Sequence, residues 1–183
     1  MNESMKKTVL NYGIYSAAVT ILFSTYAYIM DELLMISSWA QSLVFVISLV
    51  VLILGVRAYK KTNGGFATFK EAFTAFVLAS FIATVFSFAF GQILQVVDGD
   101  LGERLADGMV ENMRDMMPGD ALETTAKFSG AEDGEAYLAD LHEQIANPGL
   151  VGTIKQLFMS LAFYVVIGLV VAAVSKKNRP EFE

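Results

Sequence analysis

Charged residues are missing from four long stretches of the chain: Thr8 to Met30, Leu33 to Val56, Ala72 to Val97 and Gln156 to Ser175. These stretches are 23, 24, 26 and 20 residues long. A helix rises ~1.5 Å per residue and the hydrocarbon core of a bilayer is ~30 Å thick, so each stretch is long enough to span it. Runs this continuously apolar suit helices, which satisfy their own backbone groups in lipid, and not the alternating strands of a barrel. The pattern predicts an all-α membrane protein with four transmembrane helices. A chain of 183 residues leaves too little other sequence to bury four such helices as a soluble core.

Lys6 and Lys7 precede the first stretch, as in a secretory signal. It is longer than the ~7–15 residues of a signal core and holds Tyr12, Tyr15, Tyr26 and Tyr28, so it reads as a retained helix. A short turn from Asp31 to about Ser38 folds helices one and two into a hairpin, and helices three and four form the second. Three regions follow: 1–97 with helices one to three, 98–149 as a polar insertion, and 150–183 with helix four and a tail.

The insertion has its own periodicity. Leu101, Leu105, Met109, Met113 and Met116 fall on one face at ~100° per residue, an amphipathic helix. Asp100 and Glu103 are candidates to cap its start, and Pro118-Gly119 stops it. A second helix starts near Ser129 or Asp133, carries Tyr137, Leu138, Leu141 and Ile145, and ends at Asn147-Pro148-Gly149. Ala121 to Phe128 reads either as a short helix or as an irregular link. The insertion is thus a helical cap between helices three and four.

Composition sharpens the membrane reading. The chain is 55% hydrophobic and 17% charged, against ~45–50% and ~25% in soluble domains. Net charge is −6, which argues against nucleic acid as a partner, since phosphate neutralisation needs clustered Lys and Arg. That charge is unevenly placed. The insertion holds 13 acidic and 3 basic residues, a net −10, and the rest of the chain carries +4. Lys6, Lys7, Arg57, Lys60, Lys61, Lys70, Lys176, Lys177 and Arg179 gather on one side, facing Arg104, Arg114 and Lys127 on the other, with Lys155 near the start of helix four. The positive-inside rule then places both termini in the cytoplasm and the acidic insertion outside it. Trp39, Tyr26 and Tyr28 fall near the outer interface.

Candidate chemistry is sparse. Ala75, Ala79, Ala83, Ser87 and Gly91 repeat every fourth residue on helix three, a small-residue ladder for helix packing or an oligomer interface. Tyr12, Ser16, Thr20, Ser24 and Tyr28 form a hydroxyl stripe on helix one, read either as a polar path or as hydroxyls bonded to nearby carbonyls. No ionisable residue lies at mid-membrane, which argues against a coupled transporter. With Cys 0, disulfides and thiol nucleophiles are excluded. Met109, Met113, Met116 and Met117 would suit Cu(I), but no His or Cys joins them. Asp98-Gly99-Asp100 with Glu103 fails the twelve-residue calcium pattern beyond its first two ligands. His142, the sole histidine, has no nucleophile in local register. The sequence therefore predicts no cofactor, no metal and no catalytic residue.

Between helices two and three, Asn63-Gly64-Gly65 is a turn signal, and Thr68 with Glu71 forms a capping box. A phosphate cradle is disfavoured at the glycine pair, since no Gly-x-x-x-x-Gly-Lys-Ser/Thr pattern surrounds it. Phe69, Phe73 and Phe76 then share a face, as in a helix that starts before the membrane and enters obliquely. Four helices, a Gly64-Gly65-Phe66 turn and Thr68-Phe69-Lys70-Glu71-Ala72-Phe73 opening helix three resemble domain-of-unknown-function family 4199. The resemblance implies a small bacterial integral membrane protein with four helices and brings no activity or catalytic residue. The expected partners are the lipid bilayer and either a second copy or another membrane protein. Any small-molecule ligand is unidentified. The reading is a non-enzymatic structural or accessory protein, and its rival is a pore or uncoupled carrier lined by the helix-one hydroxyls.

Overall fold

The computed structural model describes residues 2–178, so Arg179 lies outside the described residues. Seven helices follow one another: α1 Glu3–Met30, α2 Ser38–Thr62, α3 Phe69–Val97, α4 Leu101–Met116, α5 Gly119–Ser129, α6 Gly134–Ala146 and α7 Gly149–Ser175. A 3-10 turn, Glu32–Met35, joins α1 to α2. Helices α1, α2, α3 and α7 are each long and apolar enough to cross a membrane. Their 25 to 29 residues extend roughly 40 Å.

α1 lies along α2 and α3, and α3 lies along α7, while α2 and α7 barely meet. Lipid tails are as apolar as the side chains, so burial does not drive these spans together and close backbone packing must. The seams have that character. A Cβ on Gly13 of α1 would sit 2.8 Å from Ile82 Cβ and 2.9 Å from the Ala79 carbonyl oxygen of α3. Gly55 of α2 meets Tyr12 as closely, and Gly168 of α7 meets Phe76 and Val77. Leu52, Val56, Tyr59, Ala72, Phe76 and Ala172 complete a core at the end of the bundle that carries Met5 and Lys177.

That end is tied by polar groups. Gly64 and Gly65 take φ of 74° and 84°, the left-handed region where a Cβ is penalised. The Thr68 hydroxyl accepts from the Glu71 N–H, and the Glu71 carboxylate accepts from the Thr68 N–H at 2.8 Å. Tyr59 donates to the same carboxylate at 2.9 Å. Ala67 and Lys177 exchange two backbone hydrogen bonds, and the Lys177 ammonium sits 5.2 Å from the Phe66 ring centroid. Lys60 donates to the last carbonyl of α7, Ser175, at 2.8 Å. The stretch from 63 to 68 thus joins α2, α3 and α7 at one end.

At the other end α4, α5 and α6 form the cap. Leu101, Leu105, Ala106, Leu122, Ala126 and Leu138 are its buried hydrophobic residues, and α6 packs on both α4 and α5. Ala121 to Phe128 is helical, which settles the alternative left by its sequence. Asp133 caps α6 by accepting from the Ala136 N–H at 2.8 Å. Asp100 precedes α4 but makes no side-chain cap bond, contrary to the sequence expectation. Its φ of −92° and ψ of −6° are helical, and a side-chain cap needs the extended backbone that Asp133 adopts.

Candidate functional site

Each span turns one polar stripe inward at helical spacing. Ser16 and Thr20 do so on α1, Gln41 and Ser48 on α2, Thr84 and Ser87 on α3, and Gln156, Ser160 and Tyr164 on α7. Together they line a cavity of about 390 Å³ in the half of the bundle nearer the cap. Val44, Phe45, Ala83 and Phe88 supply its apolar wall, and no charged side chain lines it. One turn before Ser16, α1 and α3 approach closely where Gly13 meets Ala79 and Ile82. Phe45 lies against Phe163 and Tyr164, with ring centroids 5.7 and 6.2 Å apart, and these contacts join α2 to α7.

Two hydroxyls of residues that line this cavity lack partners. Ser48 Oγ and Thr84 Oγ1 are buried and make no hydrogen bond. Ser48 is only 3% exposed. By contrast, Ser160 Oγ donates to its own helix at the Gln156 carbonyl, 3.0 Å away.

The sequence signalled only the α1 part of this site. Of its five hydroxyl residues, Ser16 and Thr20 line the cavity. Tyr12 packs against Gly55, Ser24 is half-buried, and Tyr28 donates to Asp98 Oδ2 at 3.1 Å. The middle of the stripe thus borders the cavity, while its ends are engaged by α2 at Gly55 and by Asp98. Gln156-Ser160-Tyr164 on α7 has the same four-residue spacing and is the matching signal in the sequence.

The small-residue ladder divides in two. Ala75, Ala79 and Ala83 are buried, at 3, 2 and 6% exposure. Ser87 and Gly91 are half-buried, and a Cβ on Gly91 would meet nothing within 4 Å. The cavity begins at Ala83, so α3 has no close neighbour there to receive the last two rungs.

Between cap and bundle lies a second space of about 480 Å³, lined by Gln92 and Gln95 of α3, Gln144 of α6, and Lys155 and Gln156 of α7. Gln156 borders both spaces. Beside it the cap is fastened by Arg104. Its guanidinium donates to both Glu32 carboxylate oxygens at 2.7 Å and to Asp98 at 2.8 and 3.2 Å. The Arg104 hydrogen bonds hold the Glu32 and Asp98 carboxyls below their ordinary pKa. The two carboxylates in turn hold Arg104 firmly protonated.

The outward face of α4 carries Glu103, Asp107, Glu111 and Asp115 at four-residue spacing, all exposed. His142 Nε2 is 2.9 Å from Asp107 Oδ1, which gives this histidine a surface carboxylate as its neighbour. Met116 of the methionine group is 66% exposed. A shallow groove separates α4 from the α1–α2 turn, lined by Leu33, Trp39, Gly108 and Asn112 among others.

No curated protein and no solved structure matches the chain. A family model described as "Protein of unknown function (DUF4199)" matches residues 11–177, which covers most of α1 and all of α2 to α7. The chain with this bundle, cavity and clasped cap belongs to that family.

Proposed function

We propose that this protein is a non-enzymatic accessory protein of the bacterial cytoplasmic membrane, with both termini cytoplasmic and an acidic cap on the outer face. The spans form two hairpins, and α4 to α6 are an extracytoplasmic insertion between them. The observation that carries this reading is the acidic row on α4, whose opposite face is buried by Leu101 and Leu105. A charged face held rigidly by the Arg104 clasp suits recognition of a basic surface on another membrane protein. The rival reading, a pore or uncoupled carrier, has support at Ser16 and Thr20, while the close α1–α3 approach at Gly13 and Ala79 beyond them favours the accessory reading.

The cysteine-free chain makes topology simple to test. A membrane-impermeant maleimide should label Glu132→Cys on intact cells and Lys61→Cys only after permeabilisation; the reverse pattern overturns the orientation. A photo-crosslinking residue at Asn112 should capture a protein partner. Capture should be lost when Glu103→Gln, Glu111→Gln and Asp115→Asn are combined. A cross-link indifferent to those charges, or none at all, overturns the accessory role.

A further inference from the structure

We propose that the open cavity lined by the four spans is a binding site for a neutral polyhydroxyl group, supplied by a free sugar or polyol or by a glycolipid headgroup. The lining has three relevant properties. It is rich in hydroxyls and amides, which both donate and accept hydrogen bonds. It contains no charged side chain, so an ionic ligand would be buried there without a counter-charge. It sets the rings of Phe45 and Tyr164 beside those polar groups. A sugar ring has the matching form, with apolar C–H faces and a hydroxyl rim.

Size agrees, since about 390 Å³ falls within the ~300–1,000 Å³ of small-molecule sites. The independent observation is the pair of orphan hydroxyls. Buried side-chain hydroxyls in folded proteins nearly always find partners, commonly a carbonyl of their own helix. Ser80, one turn before Thr84, does so through the Val77 carbonyl at 2.9 Å. Ser48 and Thr84 do not, and both border the cavity from opposite helices. Neither oxygen is itself open to the cavity as it stands, but neither has a bond to give up, so a turn about χ1 lets each meet a guest between them. Entry is available between α2 and α7, where Gln41 and Gln156 are exposed at the rim.

The test uses the full-length protein in detergent and in nanodiscs, with binding read by calorimetry and by shift of the melting temperature. The probes are D-glucose, myo-inositol, glucose 6-phosphate, and a monoglucosyl diacylglycerol incorporated into the nanodisc. Binding of glucose or inositol identifies a free polyol as the source, and binding of the glycolipid alone identifies a headgroup. In either case Ser48→Ala with Thr84→Val should weaken the affinity roughly tenfold or more, as expected for two lost hydrogen bonds. The same double variant should melt no lower than the parent without ligand, because each change removes an unpartnered hydroxyl at nearly constant volume. Absence of binding by all the neutral probes, affinity unchanged in the double variant, or glucose 6-phosphate bound as well as glucose would each overturn the proposal.

Discussion

At the scale of single residues, two glycines of the same spans should respond oppositely to one added methyl group. Gly13→Ala forces a Cβ to within 3 Å of Ile82 and of the Ala79 backbone, so α1 and α3 must separate. The expected loss is ~1–3 kcal/mol, seen as a lower melting temperature in detergent. Gly91→Ala meets open space and improves helix propensity, so it should raise stability by about 0.5–1 kcal/mol. Thr68→Ala removes half of the capping box at the start of α3 and should cost ~1 kcal/mol by the same measurement. The ladder on α3 was legible because its spacing is local. Its counterpart was not, because Gly13 is a lone glycine whose importance depends on which helix crosses it.

At the scale of elements, the cap and its attachment separate cleanly. Its helices could be read from the apolar face of α4 and the breaks at Pro118-Gly119 and Asn147-Pro148-Gly149. Its docking could not, since Arg104 and Glu32 are 72 positions apart and ion pairing leaves no periodic trace. Arg104→Met should loosen the cap while the spans stay intact, which limited proteolysis would show as faster cleavage confined to residues 98–149. The clasp also predicts a pH dependence. Glu32 and Asp98 have pKa values lowered in the folded protein, so their contribution to docking is complete above their ordinary values of 4.5 and 3.8. It is lost as pH falls through the depressed values, and cap protection should decline below about pH 4. Arg104→Met should remove that pH dependence. Protection unchanged between pH 6 and pH 3 in the parent would contradict this role for the clasp.

At the scale of the whole molecule, Ala75, Ala79 and Ala83 of α3 are already buried within one chain. Ala79→Leu with Ala83→Leu should therefore lower thermal stability without changing the oligomeric state seen by native mass spectrometry. A change of oligomeric state at unchanged stability would place the ladder at a contact between copies. Four helices long and apolar enough to cross a membrane were legible because the absence of charge over 20 to 26 residues is a strong, local signal. The cavity was legible only in part. Ser16 and Thr20, Gln41 and Ser48, or Thr84 and Ser87 each look like ordinary polar residues within one helix. Their convergence is a property of how the four spans pack.

The groove between α4 and the α1–α2 turn gives the molecule an intrinsic optical reporter. Trp39 is the sole tryptophan, is 67% exposed, and shares that groove with Gly108 and Asn112 of α4. Its emission therefore registers the seating of the cap with no attached dye. Undocking α4 should shift the spectrum to the red as water replaces the facing helix, whereas changes at the far end of the bundle should leave it still. One unlabelled fluorescence channel can thus follow acid release of the clasp in real time.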